Sequence, residues 1–246
     1  TDGPGDRAID SLEQRGLESA CIQRLPEFTT GRAVATQIGG EVSYRLPTDM
    51  AYDYIGPPSL ERFQDVGFSC LYHGSLACRG EVSRQTLFDL IDAIDAPRYV
   101  DVNIRQPHFD LAWLPKLLVG ADWVKMSGEE LEFLSGIQVD SDSSLVQAVE
   151  QLRSKFGHAT YLTTFGDQGT AAVVGSGVTR LPAEPVTEFK DSIGAGDAFS
   201  AAFIAGTLAG LTFNDSLKSA CKFAARVCSV AGGTPQDLAV YKGAIE

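Results

Sequence analysis

Apolar residues recur at two different spacings along most of the chain, and the alternation of these spacings predicts the fold class. Short apolar runs that suit buried strands cover residues 68–72, 99–103, 122–126 and 159–164. Runs with helical spacing cover residues 83–94, 128–134, 144–156, 195–209 and 215–230. Strands that alternate with helices in this way predict an α/β fold, with a mainly parallel sheet and helices on both faces.

Turn residues refine this picture at three places. Residues 32–38 and 41–46 are strand-like and are separated by Gly39-Gly40, which predicts a hairpin. A second hairpin is expected where residues 175–177 join two further short strands. Ser83 is expected to cap the helix that covers residues 83–94. Because the first hairpin differs in rhythm from the rest of the chain, we assign it as an appendage, residues 28–48, within one domain that covers residues 1–246.

Composition and charge narrow the classes of function. The 246 residues are 44% hydrophobic and carry a net charge of −12, so a general attraction to nucleic acid or to an anionic membrane surface is not expected. Five cysteines form no CxxC pair, and three histidines are scattered singly, which argues against a zinc site. No signal peptide or membrane-spanning run is evident, and the sequence therefore predicts a cytoplasmic protein.

Polar residues stand where the predicted strands end. Asn103 closes the second strand, Lys125 and Ser127 close the third, and Thr164 closes the fourth. The carboxyl ends of parallel strands meet at one edge of a sheet, which is where such sheets bind ligands. We therefore expect these side chains to share a binding edge.

The segment DSIGAGDAF, residues 191–199, carries the strongest chemical signal. Gly194 and Gly196 allow a tight turn and a close approach to a ligand before a helix of small residues begins. The free N–H groups of a first helical turn, together with the helix dipole, favour developing negative charge. Asp197 lies within that turn, where a carboxylate can accept the proton of an attacking hydroxyl. The alternative is a glycine turn whose acidic residue only satisfies a helix terminus.

This segment closely resembles the signature of the PfkB (ribokinase-like) carbohydrate kinases. Similar segments follow in order along the chain: YVDVNIRQP at 99–107, ADWVKMSGEEL at 121–131, TTFGDQGT at 163–170 and ACKFAARVCSVAGGTP at 220–235. The resemblance implies a three-layer ribokinase-like fold in which residues 28–48 form a β lid. It also implies transfer of the γ-phosphoryl group of ATP to a primary hydroxyl of a small sugar, such as the ketose fructose, with Mg²⁺ and with K⁺ as a further ion.

The resemblance also assigns roles to individual residues. Asp197 would be the catalytic base, and Gly194, Ala195 and Gly196 would form the anion hole for the transferring group. Asn103 and Arg105 would bind the sugar together with Asp197. The residues assigned to the nucleotide are Lys125, Ser127, Thr164, Gly166, Gly169, Cys221 and Gly233.

Several of these assignments have a plain structural alternative. Glu130 would help to hold Mg²⁺, yet Ser127 and Glu130 also fit a capping box that opens a helix. Asp191 would help to hold a monovalent cation. Lys125 also suits a solvated strand end, and Cys221 lies at helical spacing with residues that suit a core.

Departures from the family pattern keep other functions open. Ser127 stands where the family has Asn, Gln106 stands where fructokinase-like members often have Pro, and the chain is expected to lack the family's N-terminal segment. A nucleoside kinase is one alternative. An aromatic sandwich from the lid would be its mark, and Phe28 with Tyr44 is too little to claim one. A catalytically silent homologue is another, and a homodimer through the lid is a further hypothesis.

Overall fold

The computed structural model describes residues 2–38, 41–58 and 67–245, and it divides into two compact units. The first unit contains Thr1–Gly67, Ser75–Asp95 and Arg105–Phe109. The second unit contains Phe68–Gly74, Ala96–Ile104 and Asp110–Glu246. The residues that carry the candidate chemistry lie in the second unit, apart from Arg105.

Among its described residues, the first unit contains two α-helices and one antiparallel hairpin. Its helices are α1 (Gly3–Glu13) and α2 (Glu81–Ala93), and its strands are β1 (Val34–Ile38) and β2 (Glu41–Arg45). The strands pair from Val34 opposite Arg45 to Ile38 opposite Glu41, as the hairpin prediction requires. Gly39-Gly40, the predicted turn, lies outside the described residues.

The predicted cap at Ser83 is wrong. Helix α2 begins at Glu81, and Gly80 is its N-cap. The Ser83 hydroxyl lies two residues inside the helix, where it donates to the Tyr52 carbonyl oxygen at 2.9 Å and accepts from the Ile55 N–H at 2.8 Å. The Ser83 hydroxyl is therefore hydrogen-bonded to residues outside the helix and does not cap it.

The second unit is built on a sheet whose six strands follow one another in chain order. The strands are β3 (Leu71–Gly74), β4 (Arg98–Asp101), β5 (Trp123–Ser127), β6 (Thr160–Thr164), β7 (Thr170–Val174) and β8 (Gly177–Leu181). The pairs from β3 to β6 are parallel, and β7 and β8 are added antiparallel. The first strand-like run was placed too early, because the described strand starts at Leu71 rather than at residue 68.

Helices of the second unit pack on both faces of this sheet. They are α3 (Leu114–Leu118), α4 (Gly128–Ser135), α5 (Asp142–Phe156), α6 (Ala195–Leu208) and α7 (Phe213–Cys228). Neighbouring residues of β6 show the two faces, since successive side chains of a strand point in opposite directions. The Tyr161 ring lies 5.8 Å from the Arg153 guanidinium of α5, whereas Leu162 is buried in a core with Phe203 of α6 and Leu217 of α7. The predicted α/β class is confirmed.

A search of the described residues for helices that are both long and apolar enough to cross a membrane finds none. The five cysteines are all free thiols, and only Cys21 is exposed.

A buried histidine in β3 predicts how the fold responds to acid. Burial, together with the positive charge of Arg98, lowers the pKa of His73 to about 3. The unfolded chain takes up a proton near a pKa of about 6.5, whereas the folded chain does not, so stability falls as the pH drops below that value. At about pH 5 the loss should be about 2 kcal/mol.

Urea unfolding at about pH 7.5 and pH 5 would measure this loss. The drop in unfolding free energy should shrink by about 2 kcal/mol in His73→Gln and stay unchanged in His158→Gln, because His158 is exposed. An equal drop in wild type and His73→Gln would show that His73 does not govern the acid response.

Candidate functional site

Two charged side chains meet at the carboxyl ends of β4 and β5. The parallel register places Asp101 opposite Lys125. The Lys125 ammonium donates to both carboxylate oxygens of Asp101, at 2.9 and 3.1 Å. Because the Lys125 side chain is only 10% exposed and that of Asp101 only 3%, solvent screens this pair weakly. The alternative of a solvated strand-end lysine is therefore wrong.

The electrostatics of Asp101 connect the pair with the rest of the site. Burial raises the pKa of Asp101, and the Lys125 ammonium opposes that shift. The negative charges of Glu130 and Asp197 raise the Asp101 pKa further, which places both within electrostatic range of it. Sequence reasoning did not select Asp101, although the D-V-N order placed it two residues before Asn103 on the same strand.

A tight glycine turn leads into α6. Gly194 is the N-cap of the helix and has a φ of 78°, a left-handed conformation that glycine adopts without strain. A Cβ atom on Gly194 would lie 2.5 Å from the carbonyl oxygen of Gly233. Only glycine therefore allows these two loops to pack as they do.

The Asp191 carboxylate holds the same two loops together. One of its oxygens accepts from the Ile193 N–H at 2.9 Å, and the other accepts from the Gly232 N–H at 2.8 Å. Each oxygen thus fastens one loop. The predicted role of Asp191 with a monovalent cation stays a prediction.

Asp197 lies exposed in the first turn of α6, where its carboxylate is accessible to a substrate. One turn later, the buried Ser200 hydroxyl donates to the Asp101 carboxylate at 3.4 Å. Helix α6 thereby joins the exposed Asp197 to the buried charges of the sheet edge.

A cavity of about 600 Å³ opens beside this turn. Of the residues assigned to the nucleotide, it is lined by Thr164, Gly166, Gly169 and Cys221. Ala195 and Gly196 of the anion hole also line it, whereas Lys125, Ser127 and Gly233 do not. Four of the seven residues assigned to the nucleotide therefore line the same cavity.

Helix α7 forms one wall of this cavity. Cys221 is the one residue of this helix that was predicted to contact the nucleotide. Ala224, Ala225 and Cys228 join Cys221 along that wall, and Phe189 adds an exposed aromatic ring. Burial raises the pKa of the Cys221 thiol, so the thiol stays neutral at ordinary pH. Cys221 is therefore both a core residue and a cavity residue, and helical spacing from 221 to 225 and 228 was the available signal.

The capping box predicted at the start of α4 is confirmed. The Ser127 hydroxyl accepts from the Glu130 N–H at 3.1 Å, and the Glu130 carboxylate accepts from the Ser127 N–H at 2.7 Å. The second Glu130 oxygen accepts from the Ile104 N–H. Among the described residues, no cluster of three His, Cys, Asp or Glu side chains suits a metal ion. The metal role of Glu130 stays a prediction.

The two residues assigned to the sugar belong to different units. Asn103 follows β4 with a φ of 43°, a left-handed conformation that Asn tolerates better than most residues. Arg105 is exposed, and its carbonyl oxygen accepts from the His108 N–H at 2.7 Å. Their contacts with a sugar stay predictions.

Phe28, one of the two aromatic residues considered for a nucleoside-kinase sandwich, has another ring as its partner. Phe28 stacks on Tyr54, with ring centroids 3.7 Å apart and planes 11° from parallel. The side chain of Tyr44 lies outside the described residues.

Comparison with known proteins gives a consistent result. The family model described as pfkB family carbohydrate kinase matches residues 1–238. A fructokinase of Klebsiella pneumoniae is 39% identical over 145 residues, which are 56% of this chain and 44% of the relative. A protein described as a putative sugar kinase from Pyrococcus horikoshii is 28% identical over 217 residues, 83% of this chain and 64% of the relative. The chain thus spans about half the length of the curated relatives it matches.

Solved structures extend the similarity to the fold. The crystal structure of that Pyrococcus horikoshii sugar kinase matches this chain with a TM-score of 0.80 at 24% identity. The match covers 99% of this chain and 80% of the other chain. A ribokinase from Cryptococcus neoformans, solved with ADP, has a TM-score of 0.76 at 21% identity and covers 98% of this chain and 79% of its own. The predicted ribokinase-like fold is confirmed.

Proposed function

Because the chain belongs to the pfkB family of carbohydrate kinases, we propose that it transfers the γ-phosphoryl group of ATP to a primary hydroxyl of a small sugar. The observation that carries this proposal is the placement of Asp197, which is exposed in the first turn of α6 beside a cavity lined by Ala195 and Gly196. The fructokinases among its relatives favour a ketose such as fructose as the acceptor.

In the proposed reaction, the Asp197 carboxylate accepts the proton of the sugar hydroxyl as that oxygen attacks the γ-phosphorus. The N–H groups of Gly194, Ala195 and Gly196 stabilise the negative charge that develops on the transferring group. These groups stand at the positive end of α6, so their position is fixed before the reaction. Asn103 and Arg105 are proposed to orient the sugar, since an amide and a guanidinium both bind hydroxyl oxygens.

The 600 Å³ cavity is the proposed nucleotide site, and its volume is ample for a nucleotide. A crystal structure of the Pyrococcus horikoshii sugar kinase in complex with ATP, 25% identical to this chain with a TM-score of 0.77, supports ATP as the donor. Thr164, Gly166, Gly169 and Cys221 would then contact the nucleotide, with Lys125, Ser127 and Gly233 nearer its phosphates.

Mg²⁺ is the proposed metal. Each Glu130 oxygen accepts one backbone N–H and keeps a second lone pair, so it can still accept a hydrogen bond from a metal-bound water. This donor set fits an ion held mainly by phosphates and water, as is usual for Mg²⁺. When bound, the ion would offset the charge of the phosphates. K⁺ beside Asp191 is a further proposal, to be tested by activity in K⁺ against Na⁺.

The organisation of the protein around this site is also proposed. One domain over residues 1–246, with residues 28–48 as the lid, stays a proposal, as do the cytoplasmic location and the lack of a nucleic-acid partner. Dimerisation through the lid would be tested by sedimentation, where a monomer at working concentration would exclude it.

ADP release from MgATP tests the function directly. Fructose, other ketoses, ribose and adenosine are offered one at a time, and the background is set by Asp197→Asn. We expect turnover that depends on a ketose. Turnover with adenosine would favour a nucleoside kinase instead. If no acceptor gives a rate above the background, the protein would instead be a catalytically silent nucleotide-binding homologue.

A further inference from the structure

The Lys125 ammonium occupies a position where its own surroundings should repel it. A Cβ atom added to Gly196 would lie 2.9 Å from the ammonium nitrogen, so the cation lies against the first turn of α6. The N-terminal end of a helix carries partial positive charge. A buried ammonium is therefore unfavourable there unless anions compensate it.

The Asp101 carboxylate supplies that compensation. Both of its oxygens accept from Lys125, and the residue is only 2% exposed, so the charges attract each other in a region of weak solvent screening. The Ser200 hydroxyl, on α6 itself, donates to the same carboxylate at 3.4 Å. Asp101 thus contacts both the cation and the helix that carries Asp197.

We propose that Asp101 is a positioning residue, which holds the Lys125 ammonium against the turn at Gly196 so that this charge acts on the γ-phosphoryl group. The inference rests on the proposed kinase function. In it, Asp101 touches no substrate, and its effect passes through Lys125. The ammonium then adds positive charge, partly offset by Asp101, to the partial charges of the backbone N–H groups. A side chain at Gly196 would crowd the ammonium, because its Cβ atom would lie 2.9 Å from the Lys125 nitrogen.

Binding separates this role from a purely structural one. The affinities for ADP and for an ATP analogue with a β,γ-imido bridge are measured by calorimetry in wild type, Asp101→Asn, Lys125→Met and the double variant. Asp101→Asn should weaken analogue binding about tenfold, equivalent to about 1.4 kcal/mol, with ADP binding little changed. The double variant should match Lys125→Met alone, because Asp101 acts through that lysine.

The double variant also guards against a failure to fold. Asp101→Asn leaves a buried ammonium without its carboxylate and is destabilising, whereas removal of both charges is tolerated better. Asp53→Asn is the matched control, because Asp53 is similarly buried and pairs with Arg79 at 2.8 Å in the first unit. It should lower the unfolding temperature and leave the ratio of the two affinities unchanged.

The outcomes separate this inference from the kinase proposal. An unchanged affinity ratio in the Asp101 variants, or losses that multiply in the double variant, would overturn the positioning role. The wild type could bind both nucleotides, and its variants could show the expected changes in the ratio of the two affinities, while no acceptor is phosphorylated. In that case the kinase proposal fails and the positioning role stands. A wild type that binds neither nucleotide would overturn both.

Discussion

Replacement of Asp197 by Asn is expected to lower kcat for sugar phosphorylation by about 10²–10⁴-fold, the range that loss of a general base produces. The amide keeps the size of the carboxylate and cannot accept the proton of the attacking hydroxyl. Because Asp197 is exposed, the substitution should leave the unfolding temperature almost unchanged. The KM for ATP should also change little, since the proton transfer belongs to the transition state.

Steady-state kinetics with saturating MgATP would measure this loss, with Asp95→Asn as the control. Asp95 is an exposed carboxylate that follows α2, so its variant should keep the wild-type rate. A rate for Asp197→Asn within about threefold of wild type would remove Asp197 from the role of base, because the expected loss is far larger.

Replacement of Gly194 by Ala is expected to lower kcat by about 100-fold or more, since removal of one oxyanion-hole donor has effects of that size. The new Cβ would lie 2.5 Å from the Gly233 carbonyl oxygen, so one of the two loops must move. That movement shifts the N–H groups that are proposed to stabilise the transferring phosphoryl group. The left-handed backbone adds strain of about 1–2 kcal/mol to the folded state.

Gly210→Ala separates the clash from the strain. Gly210 has a φ of 82°, close to the 78° of Gly194, and a Cβ atom added there would meet no atom within 4 Å. Gly210→Ala should lose only the stability that the left-handed backbone costs, whereas Gly194→Ala should lose at least as much in urea unfolding because of its clash. Only Gly194→Ala should lose activity. Equal activity in the two variants would mean that the contact between the Gly194 and Gly233 loops does not shape the site.

The fold class and the candidate loop could be predicted because both are local in sequence. The apolar spacing of residues 144–156 identifies α5 without reference to any other part of the chain. The S-x-x-E spacing of Ser127 and Glu130 likewise contains the whole capping box. In the same way, the DSIGAGDAF segment contains the turn, the helix start and the carboxylate.

The remaining features depend on partners that are distant in the chain. The Asp101–Lys125 pair joins residues 24 apart and requires the register of two parallel strands. The prediction that Ser83 caps a helix failed because its hydroxyl bonds to Tyr52 and Ile55, about 30 residues earlier in the chain. Periodicity describes which face of an element is buried, and it does not describe what that face meets.

The order of the strands bears on how the protein is made. Each strand from β3 to β8 pairs with the next strand along the chain, so each can add to the sheet as it leaves the ribosome. The turn at Gly194 comes after the last of these strands, and it packs on Gly233 still later. All six strands are therefore synthesised before the turn at Gly194 can pack on Gly233. A nascent chain that stalls before Gly233 would carry the strands of the sheet and a turn at Gly194 that still lacks its packing partner.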